Sequence, residues 1–300
     1  MMKWRKKAAV LLAAIMMLMA PVTVMADSVD VVSDKPYISL GADLNSTEKE
    51  TVLQLLGVSE RELSNYTVVT ITNSMEHEYL DSYLDSSLIG SRALSSVLVK
   101  GQKDGYGIKV TTKNISYCTV GMYQNALATA GIQNADIVVA GPFKISGTAG
   151  LVGAIKAYEN MTGKQVDEEK VEAATNELVV TSDLAENIGN TEKAEELVGF
   201  IKNEVASNDY TEEEMSALVD EAASEMQVSL SEEDKQNILE LMEKVKGLDI
   251  DVDQLQEQVK GLYSKLQGMD LHIDLNSPET KSFLSNLWNK ITEFFNNLLG

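Results

Sequence analysis

The chain has 300 residues, of which 46 are acidic and 25 basic, and its formal net charge is −21. Such an acidic chain repels nucleic acid phosphates and anionic lipid headgroups, which disfavours polyanionic partners and leaves cationic peptides, metal ions and neutral glycans open. One cysteine excludes an intramolecular disulfide, and with only two histidines in the chain a zinc site of the usual ligand types is disfavoured. We therefore expect no cofactor and no nucleic acid partner.

The N-terminus has the three parts of a secretory signal peptide. Four basic residues precede an apolar run over 8–20 that is too short to span a bilayer, and they are Lys3, Arg5, Lys6 and Lys7. Small residues then lead to Ala26, so we expect cleavage between Ala26 and Asp27. Removal of the segment leaves a net charge of −25. Because no later segment is apolar enough to anchor the chain, we expect a protein that is secreted or associated with the cell envelope.

Residues 27–165 predict an α/β domain. Short β-branched runs alternate with helical patterns, which is typical of a small mixed sheet with packed helices. The expected strands cover 29–32 (extending to Leu40 as an alternative), 66–72, 97–100, 106–113 and 137–140. Turn residues at 101–105 predict a hairpin between the third and fourth of these strands, so at least one pair should be antiparallel.

Four helices are expected among these strands. One ends at Gly57, and a Ser59–Glu62 capping box after it opens a short turn. A long helix should run from about 76 to 91, another should begin near Cys118, and the last should occupy about 147–161. The overall class is therefore α+β, with α/β as the alternative.

Residues 166–300 predict an acidic helical domain. Acidic residues outnumber basic ones by 31 to 10 from residue 167 onward, against 15 to 11 over 27–166. Strand patterns almost disappear, and N-cap residues introduce consecutive helices at Thr191, Thr211, Ser231 and Ser277. The first half and the acidic second half together give the α+β class with an appended all-α unit.

The last helix, over 278–299, is strongly amphipathic. Its apolar face forms a candidate interaction surface that includes Phe283, Leu287, Trp288, Ile291, Phe294 and Phe295. Helices that lie on membranes usually have basic polar faces, whereas this one carries two lysines against two glutamates. Packing within the chain is therefore favoured over a partner protein or a membrane-surface contact.

Four segments carry a resemblance to a known family: Gly90 to Val97, Thr112 to Thr119, Met122 to Leu127 and Ala140 to Ala149. In these segments the chain resembles the YpuA-like family of predicted secreted proteins from Gram-positive bacteria, a domain-of-unknown-function family. The resemblance runs from about Leu40 to about Leu266. It implies an exported protein and brings no activity, substrate or site residues.

A thiol site is one candidate for chemistry. Cys118 stands where a helix is expected to begin, and a helix N-terminus lowers the pKa of a thiol. His77 is the histidine available in the same half, with Asp81 or Asn114 as an orienting group. The alternative is a packed thiol without a reactive role, which is the more common use of a lone cysteine.

The turn at 141–150 is a second candidate. It leads from a strand into a helix, where backbone N–H groups can receive an anion, with Lys144, Ser146, Gly147 and Thr148 as candidate ligands. It lacks the glycine spacing of both nucleotide-binding motifs, so a tight strand-to-helix turn is the favoured interpretation. The acidic stretch at 249–253 is not an EF-hand, because Gln254 and Lys260 replace the required glycine and glutamate.

Two classes of function follow. The favoured one is a non-enzymatic protein that binds another envelope protein or a wall component. The alternative is a cysteine-dependent hydrolase of wall peptide or protein that uses Cys118 and His77. Because the sequence shows no complete catalytic set, we favour binding.

Overall fold

The computed structural model describes residues 35–84, 86–252 and 255. The strands are β1 (Tyr37–Gly41), β2 (Thr67–Ile71), β3 (Ser96–Gly101), β4 (Ile108–Ile115) and β5 (Ala135–Ile145). The helices of the first half are α1 (Ser46–Leu56), α2 (Asn73–Leu80), α3 (Ser86–Ile89), α4 (Val120–Thr129) and α5 (Thr148–Thr162). Those of the second half are α6 (Glu168–Ile188), α7 (Thr191–Ser207), α8 (Glu212–Glu225) and α9 (Glu232–Lys246).

The five strands form one mixed sheet in the order β2-β1-β3-β5-β4. The outer pairs, β1 with β2 and β4 with β5, are parallel, while β3 is antiparallel to both of its neighbours. The α+β class and the expected antiparallel pairing are therefore confirmed. Of the first predicted strand, residues 29–32 lie outside the described residues, and the observed strand is the later part, 37–41.

The predicted hairpin between the third and fourth strands is wrong. β5 lies between β3 and β4 and pairs with both, so the 101–107 connection must cross the end of an inserted strand. Asn134, which directly precedes β5, stabilises this connection by hydrogen bonds. Its side-chain oxygen accepts hydrogen bonds from the backbone N–H groups of Tyr106 and Gly107, and its carbonyl accepts one from Gln102. Turn residues alone do not distinguish this split pair from a simple hairpin.

Helices cover both faces of the sheet because the strand side chains alternate. One face packs against α1 through Ile38, Leu40, Leu98 and Ala140. The other belongs to a larger core shared with α4 and α5, and contains Tyr37, Val97, Val99, Ile137 and Val139. This second core continues without interruption into helices α6 to α9. The division predicted near residue 165 remains a prediction.

The predicted helix over 76–91 is wrong as a single element. α2 ends at Leu80, and a short α3 follows from Ser86 to Ile89. The intervening sequence is rich in Asp and Ser, whose side chains compete for backbone hydrogen bonds and disfavour a helix interior. The apolar residues of this region still pack together, and Leu80, Leu84 and Ile89 are all buried.

The helix starts in the second half follow the expected capping chemistry. Capping boxes form at Thr211 with Glu214 and at Ser231 with Asp234. The cap of α7 is Asn190, one residue before the predicted Thr191. Ser277 and the final helix over 278–299 lie outside the described residues.

A buried polar network joins α4, α6 and α7. Lys202 of α7 and Glu177 of α6 form an ion pair of 2.8 Å, with side chains that are 1% and 0% exposed. The Lys202 ammonium also donates to the Asn125 carbonyl at 2.9 Å and to the Thr129 hydroxyl at 3.1 Å, and Thr129 donates to Glu177 at 2.5 Å. The Lys202 ammonium thus has three partners inside the core, which offsets the cost of burying its charge.

Candidate functional site

A cavity of about 450 Å³ opens between the α2–α3 region, the segment 90–95, the end of β4 and the first turn of α5. This volume lies within the roughly 300–1,000 Å³ range of small-molecule sites. Its polar lining is dominated by hydroxyl groups, which include those of Ser91, Ser95, Ser116, Ser146 and Thr148. Three of the four segments that carry the family resemblance contribute residues to this cavity.

Glu76 supplies a buried carboxyl group to the cavity wall. The residue is 1% exposed, and its Oε1 has no hydrogen-bond partner among the described residues. Burial raises the pKa of Glu76 to about 8, and the nearby Asp43 acts in the same direction, while His77 and a hydrogen bond with Asn73 oppose the shift. At neutral pH the carboxyl is therefore mostly protonated. A buried polar atom without a partner costs about 1–3 kcal/mol, so this oxygen is an unused binding group.

His77 lies beside Glu76 but is engaged in its own contacts. Its Nδ1 is 2.6 Å from a carboxylate oxygen of Asp81, and its Nε2 is 3.3 Å from the Gly90 carbonyl oxygen. The hydrogen bond to Asp81 raises the pKa of His77, partly opposed by desolvation. The imidazole thus ties α2 to the segment that forms the opposite wall.

The segment 90–95 is held against the end of β1 by Asp43. The Asp43 carboxylate accepts the Ala93 N–H at 2.8 Å, and Arg92 donates to the Asp43 carbonyl at 2.8 Å and to Glu48 at 2.6 Å. Gly41 permits this approach, since a Cβ there would lie 2.2 Å from the Ala93 carbonyl oxygen. The Arg92 guanidinium is thereby placed at the cavity.

The first turn of α5 forms another wall of the cavity. Ser146 and Thr148 line the cavity, and their hydroxyl oxygens are 3.3 Å apart. Gly147 is the N-cap with φ 94°, and a Cβ there would lie 2.4 Å from Ile115. Its carbonyl accepts a 2.5 Å hydrogen bond from the buried Tyr123 hydroxyl. Lys144 is exposed and lies outside the cavity lining.

Two apolar side chains stand at the mouth of the cavity. Leu88 is 37% exposed and Phe143 is 49% exposed, and both line the cavity. Exposed aromatic and aliphatic side chains beside a polar cavity provide a surface for the apolar part of a ligand.

Cys118 is part of the core. It is 2% exposed, and burial raises the pKa of its thiol to about 12, opposed by a hydrogen bond with Tyr123. A thiol with this pKa is protonated at neutral pH and is a poor nucleophile. Asn114, one suggested orienting group, donates instead to the Gly141 carbonyl at 3.1 Å, while Asp81 is bonded to His77. Cys118 is thus hydrogen-bonded to Tyr123, whereas His77 is hydrogen-bonded to Asp81 and Gly90.

The remaining features are the apolar surface of the final helix, a metal site and a membrane-spanning helix. The interaction surface of the final helix, with Phe283, Leu287, Trp288, Ile291, Phe294 and Phe295, lies outside the described residues. Within residues 35–84, 86–252 and 255, no cluster of three or more His, Cys, Asp or Glu side chains is arranged to hold a metal ion. In the same part of the chain, every helix is too short or too polar to cross a membrane.

The sequence did not single out Glu76, Arg92 or Phe143 as site residues. The sequence did carry a signal for Glu76, because it precedes Leu80 by four residues and Tyr83 by seven and so lies on the apolar stripe of the helix predicted over 76–91. A carboxyl on a buried stripe is unusual and points to a special environment. Arg92 and Phe143 lie in irregular or terminal segments, where spacing carries no such signal.

Comparison with known proteins places the chain in a family. A family profile described as "Protein of unknown function (DUF1002)" matches residues 40–262. The chain is 38% identical over 296 residues to "Uncharacterized protein YpuA" of Bacillus subtilis (strain 168), which covers 95% of this chain and 97% of that protein. No solved structure matches the chain. The chain therefore belongs to the DUF1002 family, the YpuA-like family that its sequence resembles.

Proposed function

We propose that this protein is an exported, non-enzymatic binding protein that holds a small polar ligand in the cavity beside Glu76. One observation carries the proposal: a carboxyl oxygen that has no hydrogen-bond partner in the described part of the chain belongs to a side chain that is 1% exposed and lines a cavity of about 450 Å³. Native proteins pair almost all buried polar atoms, and exceptions point to a missing ligand or a functional role.

Catalysis by the thiol finds less support than binding. The Cys118 side chain is buried and its raised pKa keeps the sulfur protonated at neutral pH. The cavity instead presents hydroxyl groups, a protonated carboxyl and a guanidinium, which are groups that orient a ligand without needing to react with it.

Ligand binding in the cavity is testable by thermal unfolding of residues 27–300. We expect at least one class in a panel of neutral disaccharides, polyols, free amino acids and dipeptides to raise the Tm. A ligand at a hundred times its Kd adds about 2.7 kcal/mol, which corresponds to roughly 5–10 °C for a chain of this size.

Variants of two lining serines locate the binding. Ser146→Trp and Ser116→Trp fill the cavity and should abolish the Tm shift, whereas Ser64→Trp, at an exposed position outside the cavity lining, should retain it. Unfolding without ligand checks that each variant folds. A panel without any stabilising compound, or a shift that survives both cavity variants, would overturn the proposal.

Export rests on the signal peptide pattern over residues 1–26. We expect the protein recovered from the culture medium or wall fraction of a Gram-positive host to begin at Asp27. N-terminal sequencing measures this directly. Recovery of the chain in the cytoplasm with its first 26 residues intact would contradict it.

A further inference from the structure

We propose that the ligand of this cavity is a zwitterion with an ammonium and a carboxylate group, in the form of an amino acid or a short peptide with free ends. The proposal rests on the binding function and names the chemistry of the ligand. Buried Glu76, whose Oε1 has no hydrogen-bond partner among the described residues, lines a cavity that is also lined by Arg92 and the first turn of α5.

The Glu76 side of the cavity is suited to an ammonium group. A carboxyl that is 1% exposed with an unpartnered Oε1 gains most from a donor that also carries positive charge, because charge-assisted hydrogen bonds are roughly twice as strong as neutral ones. Asp43 adds negative potential at this position. A metal ion is a poorer candidate, since the described residues hold no cluster of three or more ligating side chains.

The α5 side of the cavity is suited to a carboxylate. The first N–H groups of a helix have no acceptor within the helix, and the helix dipole adds partial positive charge there. The N-cap, Gly147, offers no side chain to accept these hydrogen bonds, and Thr148 and Ala149 of this turn line the cavity. Arg92 adds a guanidinium that is paired with Glu48, and both of its hydrogen bonds to Asp43 and Glu48 use Nη2, which leaves Nη1 outside these two contacts.

Opposite preferences within one small cavity favour a molecule that carries both charges. A purely anionic ligand is disfavoured by the net charge of −21, which a zwitterion without net charge does not encounter. Leu88 and Phe143 at the mouth offer contact for an apolar side chain of the ligand. The cavity volume of about 450 Å³ suits an amino acid or a short peptide.

Calorimetric titration of residues 27–300 with four probes tests the proposal. The probes are L-alanyl-L-alanine, its N-acetyl derivative without the ammonium, its C-terminal amide without the carboxylate, and maltose as a neutral polyol. We expect the dipeptide to bind and each blocked derivative to bind at least tenfold more weakly, about 1.4 kcal/mol.

Two pairs of variants assign the ends of the ligand. Glu76→Gln should weaken the dipeptide at least tenfold and leave the N-acetyl derivative unaffected, and Arg92→Gln should weaken the dipeptide but not the amide. Glu78→Gln on the exposed side of α2 and the exposed Arg61→Gln are the matched controls. Proton release provides a second measurement, because an ammonium paired with Glu76 should displace close to one proton at pH 7.

The outcomes separate the ligand class from the binding function. Maltose binding that Ser146→Trp abolishes, without dipeptide binding, would overturn the zwitterion and leave the binding function standing. Equal binding of the dipeptide and its blocked forms, or dipeptide binding without proton release, would also overturn it. Failure of every compound in the wider panel would remove the binding function as well.

Discussion

Replacement of Lys202 by Met is expected to lower the free energy of unfolding by about 3–5 kcal/mol. The change removes the ammonium that pairs with Glu177 at 2.8 Å and leaves that carboxylate inside the core with only the Thr129 hydroxyl as a donor. An uncompensated buried charge is among the most costly defects a folded protein can hold. Urea unfolding of residues 27–300 followed by circular dichroism measures the loss.

Two further variants give this prediction its controls. Lys235→Met breaks an ion pair of 2.7 Å with Asp220, whose side chain is 62% exposed, and should cost less than about 1 kcal/mol. The double variant Lys202→Met with Glu177→Leu removes both buried charges and should recover most of the loss, because apolar replacements of buried pairs are often neutral. A Lys202→Met loss no larger than that of Lys235→Met would contradict the importance of the network.

The stability of the protein is expected to fall as the pH rises from about 4.5 to about 8, because of Glu76. Its pKa is about 8 in the folded chain against an ordinary 4.5. Within this window the unfolded chain has released the proton that the folded chain retains, so stability is highest below the window and levels off above it. The slope is about 1.4 kcal/mol per pH unit, and the total is roughly 3–5 kcal/mol.

Comparison with Glu76→Gln isolates this contribution. Gln is similar in shape to the protonated carboxyl and does not titrate, so the variant should gain stability relative to the native protein steadily between pH 4.5 and 8. Glu78→Gln, a neighbour at an exposed position of α2, should show a constant difference. Unfolding free energies from urea titrations at pH 4.5 to 9 measure both. Parallel curves for the native protein and Glu76→Gln would refute the shift.

Local patterns in the sequence were sufficient for most elements of the fold. Each strand candidate of the described region overlaps an observed strand, and capping chemistry located the starts of α8 and α9. The pairing of the strands could not be predicted from these local patterns. β3 and β4 look like a hairpin because only six residues, 102–107, separate them. The insertion of β5 between them is determined by contacts between distant segments.

The candidate site was predictable only in part. The glycine-rich turn before α5 contains Ser146 and Thr148, which line the cavity, and small residues there allow helix and strand to approach closely. Their role as ligand-binding residues stays a prediction. Glu76 and Arg92 also line the cavity, and they are separated from that turn by more than 40 residues of chain. Lys202 shows the same limit: its spacing from Val198 and Val205 indicates burial, but nothing local identifies Glu177 as its partner.

The insertion of β5 between two earlier strands also constrains the order in which the sheet can form. A chain that ends before residue 135 contains β1, β2 and β3 as a paired set and β4 without its neighbour, since β5 is the only described strand that pairs with β4. The sheet cannot be completed until residues 135–145 have been synthesised, and pairing between distant segments slows folding. The nascent protein therefore passes through a stage in which β4 is an open edge that needs protection from aggregation.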